Sequence, residues 1–523
     1  MSIDATFDTY GGPDDPRLGA PRWRATSQWR HVDRKLMVLF PLSVALAAWY
    51  FEWLLRPERI GNRALYGLLV VAELFNLVQA AGFWWTCRHG RDRPGSPALP
   101  DTVGAVDVLI PVYTEPLEIV SPTVAAAVAL RGAAVTVHLL DDAGRPELAA
   151  LAARHGVRYL RRGINTGAKA GNLNNALRHS GAPFVVVFDC DHVPDARFLE
   201  ATLGWFGDPE VAYVQTPQYY ANASSGTVAT AAWAQQALFF GGIARGKDGL
   251  DAMFCCGTNV VFRRSALEDA GGFPERSLTE DFELSVRLHE RGWRSVYVNE
   301  VLAQGLGPED MVSYVSQQQR WARGCLGALP VAIRAELPWR VRMQYLLSSM
   351  FFLSGWTFAL YMALPAIRIF TGAQPLAGTT ADQFLMHFAP YFCVSLGAVA
   401  VAGAGTYTFE AFALLIANFW VHVVSTVFVL LRRTGRFVVT AKKGAQGAQP
   451  RAVAPALAAM GGLLASVGFA CTLRLTPGTL NNVAFAVLHL SVLVVGTWPA
   501  LAGARAGASR RRAIVDEPSE AAA

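Results

Sequence analysis

Charge is scarce in this chain. Only 16% of its 523 residues are Asp, Glu, Lys or Arg, where a soluble globular chain carries about 25%. That shortfall excludes an ordinary soluble protein. Paired cysteines are also missing. The seven cysteines contain no CxxC spacing, and the adjacent Cys255 and Cys256 are poorly placed for a routine bridge. Structural zinc is therefore excluded, and reduced cytosolic thiols are expected. The net charge of +6 comes without a basic stripe interleaved with aromatics, so no nucleic-acid partner is expected. The first thirty residues lack the short basic start and apolar core of a signal peptide. They contain Gly-Gly-Pro and Asp-Asp-Pro, and a disordered tail over 1–33 is expected.

Apolar residues make up 52% of the chain, concentrated towards its two ends around a block of mixed polarity. Residues 36–55 and 64–87 are each about long enough to cross a bilayer, which takes near 20 residues. Their short connection predicts a transmembrane hairpin within 34–93. Glu73, Asn76 and Gln79 recur every third residue on the second helix, either for interhelical hydrogen bonds or as a polar lining for a passing chain. After the polar block, residues 342–352 lead into a span over 353–370, and 384–403 return. Residues 409–431 are apolar enough to span but end in Arg432, Arg433, Arg436, Lys442 and Lys443, so a helix at the cytosolic interface is expected. Residues 453–473 and 483–501 form a last hairpin, with Arg510–Arg512 inside. The count is about six spans plus interfacial helices in 331–503, with a cytosolic tail over 504–523. Seven spans would put those arginines outside.

Residues 94–330 read as one cytosolic domain behind a Pro- and Gly-rich linker at 94–104. Strands are predicted at 106–111, 134–140 and 183–188, with a helix at 121–130 between the first two. This rhythm predicts an α/β domain with a mainly parallel sheet covered on both faces. Asp141-Asp142 and Asp189-Cys190-Asp191 fall at carboxyl ends of strands, where such sheets bind ligands.

Asp189 and Asp191, one residue apart, suit a Mg²⁺ or Mn²⁺ shared with diphosphate oxygens. Asp141 or Asp142 either meets a nucleotide base or ribose, or simply forms a turn. Lys169 offers a cation to phosphate, and Gly171 permits close backbone approach. Thr279-Glu280-Asp281 opens an amphipathic stretch, with Thr279 or Glu280 as a candidate cap. Asp281 is the preferred general base, with Glu280 to tune or orient it; spacing does not choose between them. Gln317, Arg320 and Trp321 share one helix face. There Arg320 can pair with diphosphate and Trp321 can present a flat face to a sugar.

Taken together, these stretches resemble the processive, inverting family-2 glycosyltransferases, a group that includes bacterial cellulose synthase catalytic subunits, curdlan and mixed-linkage glucan synthases and hyaluronan synthases. The resemblance rests on residues 107–116, 169–172, 187–194, 214–217, 254–258, 279–281 and 317–321. It implies a GT-A fold, a UDP-sugar donor, a growing polysaccharide acceptor, a lipid bilayer around the helices, and accessory secretion subunits as a partner class. It places Tyr113, Glu115, Asp141 or Asp142, Lys169, Gln317 and Arg320 at the nucleotide-sugar. Cys256, Gly257 and Thr258 would border the acceptor end, and Trp321 would stack its sugar. Phe437, Val439, Thr440 and Lys442 would belong to a gating loop over 437–443. The implied activity is transfer of glucose from UDP-glucose to a β-glucan, β-1,4 favoured, at the plasma (inner) membrane. Departures are two helices instead of four before the catalytic domain, Thr114 where the group has Asn, Cys190 in place of a small residue, and no expected cyclic-dinucleotide domain after the last span.

Overall fold

The computed structural model describes residues 26–93, 96–98, 104–432, 447–472 and 476–502. The gating-loop residues Phe437, Val439, Thr440 and Lys442 lie outside them. Two apolar helices come first, α1 (Thr26–Leu54) and α2 (Arg63–Arg88). The first begins eight residues earlier than expected, which corrects the boundary of the tail. Trp29, Val32 and Leu36 are buried on one face of this extension, and Asp33 is held at 3.1 Å by the buried Arg245.

The central block begins with β1 (Ala105–Val112), α3 (Leu117–Val128), β2 (Ala134–Asp141), α4 (Pro146–His155), β3 (Arg158–Arg161), α5 (Ala168–Arg178) and β4 (Phe184–Val187). Alternation along β1 divides it between two cores. Val106, Val108, Ile110 and Val112 pack with Val120 and Val124 of α3, while Leu109 packs with Ala170 and Leu173 of α5. Next come β5 (Val193–Pro194), α6 (Phe198–Thr202), β6 (Val211–Gln215), β7 (Tyr219–Tyr220), α7 (Thr227–Leu238), α8 (Ala244–Gly249), β8 (Val260–Arg263), α9 (Arg264–Asp269), α10 (Glu280–Glu290), β9 (Arg294–Tyr297), β10 (Ala303–Gly305) and α11 (Met311–Arg334).

The main sheet has the order β3-β2-β1-β4-β8-β6-β9, and a small sheet has the order β5-β10-β7. Strands β3, β2, β1 and β4 are parallel, as the sequence predicts. Strand β8 runs antiparallel to both β4 and β6, so the sheet is mixed. Val260 at the start of β8 pairs with Val187 at the end of β4. The loop entering β8 therefore arrives at the edge where the chain leaves β4 towards Asp189.

The C-terminal block holds α12 (Trp339–Met350), α13 (Ser354–Thr371), α14 (Ala381–Ala402), α15 (Phe409–Ala417), α16 (Phe419–Leu430), α17 (Ala454–Ala470) and α18 (Pro477–Ala502). Among the described residues six helices are long and apolar enough to cross a membrane, two before the central block and four after it, with α12 and α13 counted as one. The 409–431 run is two helices, α15 and α16, bent by 41° where they meet. On α2, Asn76 Nδ2 donates to Tyr361 Oη (2.7 Å), and Tyr361 Oη donates to Glu73 (3.1 Å). Two members of the polar row on α2 thus make interhelical hydrogen bonds.

Candidate active site

The site forms at the carboxyl ends of β1, β2 and β4, closed by the loop that enters β8. Lys169, in the first turn of α5, reaches over the end of β4. Its Nζ lies 2.5 Å from Asp189 Oδ1 and donates to the Gly257 carbonyl at 2.8 Å. Burial opposes the charge on Lys169, but Asp189, Glu280 and Asp281 outweigh it and raise its pKa. Asp189 responds in the opposite sense. Burial disfavours its ionised form, yet Lys169 and His192 hold its carboxyl below the usual range. The Asp189 N–H donates to Thr258 Oγ1 at 2.8 Å, so Thr258 positions the metal candidate.

Gly257 brings the base candidate to this point. Its φ of +79° is the left-handed conformation that glycine adopts freely. A side-chain carbon there would sit 3.0 Å from Asp281 Oδ2 and 3.5 Å from Lys169 Nζ. Asp281 lies in the first turn of α10, with its Oδ1 accepting from the Phe282 N–H at 2.8 Å. Burial, and then the charge on Glu280, push its pKa up to about 7, against the pull of the Phe282 N–H, Lys169 and Arg320. A carboxylate poised near neutrality is suited to general-base work. Thr279 is the residue before α10, but its side chain makes no cap bond. Instead it packs against Gly324 of α11, where any side-chain carbon would collide with Thr279 Cγ2. That close approach joins the Thr279-Glu280-Asp281 turn to the helix bearing Gln317, Arg320 and Trp321.

Asp189, Asp191 and His192 each offer a ligand atom, all within 4.8 Å of one another. His192 is an addition to the two ligands expected from the spacing. It is buried, its Nδ1 lies 3.5 Å from Asp191 Oδ1, and neither ring nitrogen makes a hydrogen bond among the described residues. Asp191 is buried and accepts from the Leu306 N–H at 3.1 Å. Two carboxylates and an orphaned imidazole form a donor set that fits a small divalent cation. Only the two aspartates announced themselves by spacing, although His192 is the next residue in the chain.

The nucleotide candidates divide. Tyr113 is exposed, and its N–H donates to Glu115 Oε2 at 2.8 Å. Asp141 is buried and accepts from the N–H groups of Ala143, Gly144 and Arg145 and from Tyr159 Oη. Its carboxylate holds the turn that follows β2. Asp142 is gripped through both oxygens by Arg162, at 2.5 and 2.7 Å. Gly171 makes room for the Thr166 carbonyl and Arg162, so the close backbone approach it permits is made within the protein.

On α11, Gln317 Nε2 donates to Tyr220 Oη at 3.3 Å. Trp321 is half-buried against Ala322, Leu326 and Phe352, with Leu353 and Val429 alongside. It therefore stands where the central block meets α16 and the entry to α13. Cys256 is half-buried, and its carbonyl accepts from Gln218 Nε2 at 2.9 Å.

A family model described as glycosyl transferase family group 2 matches residues 184–498, from β4 to the last helix. The chain belongs to that family. Within family group 2, its similar relatives include a UDP-forming cellulose synthase 1 catalytic subunit of Komagataeibacter xylinus, 34% identical over 437 residues, which are 79% of this chain and 57% of the relative. Another is a UDP-forming cellulose synthase catalytic subunit of Xanthomonas axonopodis pv. citri, 35% identical over 306 residues, or 55% of this chain and 41% of the relative. The chain thus spans about half the length of these two relatives. Among solved structures, the mannosyltransferase PcManGT of Pyrobaculum calidifontis, in complex with GDP-Man and Mn²⁺, aligns with a TM-score of 0.51 at 18% identity, over 71% of this chain and all of that one. That likeness supports the GT-A fold of this family member.

Proposed function

We propose that the chain is a membrane-embedded, processive, inverting β-glycosyltransferase. It transfers glucose from UDP-glucose to the growing end of a β-glucan, β-1,4 favoured, and passes the product across the membrane. The observation that carries this reading is the convergence of Lys169, Asp189 and Asp281 on Gly257, on a domain set between apolar helices. UDP as the donor's nucleotide follows the relatives' UDP-forming description, and glucose follows their being cellulose synthases. The basic flanks of the helices support a cytosolic catalytic face at the inner membrane.

Asp281 takes the proton from the acceptor hydroxyl. That oxygen attacks the anomeric carbon, the bond to the diphosphate breaks, and the configuration inverts from α to β. The leaving UDP carries away the bond electrons. Lys169 and Arg320 attract its charge, and Glu280 keeps Asp281 basic enough to act. Asp189, Asp191 and His192 would hold Mg²⁺ or Mn²⁺, which when bound neutralises charge on the diphosphate. Trp321 offers the elongated chain a flat face at the junction with the membrane helices.

The test supplies membranes containing the full chain with labelled UDP-sugars and Mg²⁺, then digests the product with linkage-specific glucanases. A long glucan cut by a β-1,4-specific enzyme is expected. A single sugar added to lipid would overturn the processive reading.

A further inference from the structure

Lys247 is a buried cation that the proposed chemistry does not use. It sits on α8, and its Nζ donates to Gln344 O (3.2 Å), Gln344 Oε1 (3.0 Å) and Ser348 Oγ (2.8 Å) of α12. Among the described residues no carboxylate forms an ion pair with it. Burial pulls the pKa of Lys247 down to about 7, against the opposing pull of the Cys256, Cys325 and Cys87 thiols. A buried ammonium without an anion is costly, and an apolar side chain of the same length would fill the space more cheaply.

Its position offers a reason for the cost. Gln344, which accepts from Lys247, donates through Nε2 to Thr86 Oγ1 of α2 at 2.8 Å. Lys247 therefore joins the helices before and after the central block. On its other side, Nζ lies 5.3 Å from the centroid of the Phe254 ring. Phe254 begins the loop that carries Cys256, Gly257 and Thr258 to the site. Its ring also meets Phe282 edge-on at 5.0 Å, and Phe282 is the residue after Asp281. One side chain thus links α12, and through Gln344 also α2, to the segment that carries the acceptor loop.

We infer that Lys247 is a positioning residue that pins the acceptor-facing loop Phe254–Thr258 to α2 and α12, keeping the growing end in register with its exit for the next transfer. This rests on the polymerising reading given above. Without the pin the donor still binds, but the acceptor end is lost between additions.

The experiment uses the full chain in membranes with labelled UDP-glucose and Mg²⁺, comparing wild type, Lys247→Met, Ser348→Ala and the double variant. Product length and the KM for UDP-glucose are measured together. Lys247→Met is expected to shorten the mean product by about threefold or more while the KM for donor stays within about twofold. Ser348→Ala should shorten it less, and the double variant should be no shorter than Lys247→Met alone, because the two residues share one contact. If Lys247→Met does not accumulate, Ser348→Ala carries the test, since it keeps the ammonium and two of its acceptors. Unchanged product length, or a loss confined to donor KM, overturns the inference. A wild-type product of one added sugar would instead sink the polymerising reading, so the two failures are distinguishable.

Discussion

The charge on Asp281 sets the pH response. With a pKa of about 7, about a tenth of the carboxyl is ionised at pH 6, half at pH 7 and nine-tenths at pH 8. A base must be ionised to accept a proton, so activity is lost as pH falls through this window. The kcat/KM for sugar incorporation should climb about tenfold from pH 6 to pH 8 and then flatten. Glu280 is the second cause of the raised pKa, after burial. Glu280→Gln removes that like charge, so the rising limb should move to lower pH while burial keeps it above the ordinary carboxylate range. Asp281→Asn should lower the rate by about 10²–10⁴. The assay is the initial rate of labelled-sugar incorporation at low donor concentration, from pH 5.5 to 9, for all three proteins. A limb that stays in place in Glu280→Gln, or moves to higher pH, refutes the electrostatic coupling. An Asp281→Asn variant with near-normal rate refutes the base assignment. Stability gives an independent readout. A carboxyl with a raised native pKa holds its proton more tightly folded than unfolded, so its burial costs stability as pH rises from about 4 through 7. Asp281→Asn should therefore raise the melting temperature at pH 8 and change it little at pH 4.

Three further outcomes are expected. Gly324→Val places a branched carbon on Thr279, so thermal unfolding should show a loss of about 1–3 kcal/mol, with sugar transfer falling too. Asp191→Asn should weaken Mn²⁺ binding, read directly by electron paramagnetic resonance of free Mn²⁺, and His192→Ala should weaken it by a smaller factor. Tyr361→Phe, which leaves Glu73 without its 3.1 Å donor, should cost about 0.6–2 kcal/mol in detergent unfolding.

Much of the site was legible because it depends on local pattern. The runs ending at Asp141 and Asp189 are β-branched and bounded by turn residues, so both strands and the acids at their ends could be read directly. The face shared by Gln317, Arg320 and Trp321 follows from helical spacing alone. What stayed hidden depends on distant partners. Strand β8 is four residues long, and nothing in Val260–Arg263 says that it runs against β4. The bonds that the Asp141 carboxylate accepts from Tyr159 and the following turn come from folded neighbours that Asp-Asp does not announce. The orphaned state of His192 is a property of its surroundings, invisible in Asp-Cys-Asp-His. The 41° break within 409–430 falls at Asn418, a single polar residue in a mostly apolar run, too slight a contrast to announce a bend.

The contact between Gly324 and Thr279 has an evolutionary consequence. Two segments more than forty positions apart in the chain share one steric surface, so their residues are not independent choices. A methyl group at position 324 would have to be matched by a smaller residue at 279. Drift at either position alone would move the base and the Arg320–Trp321 face apart, so the two should change together or not at all.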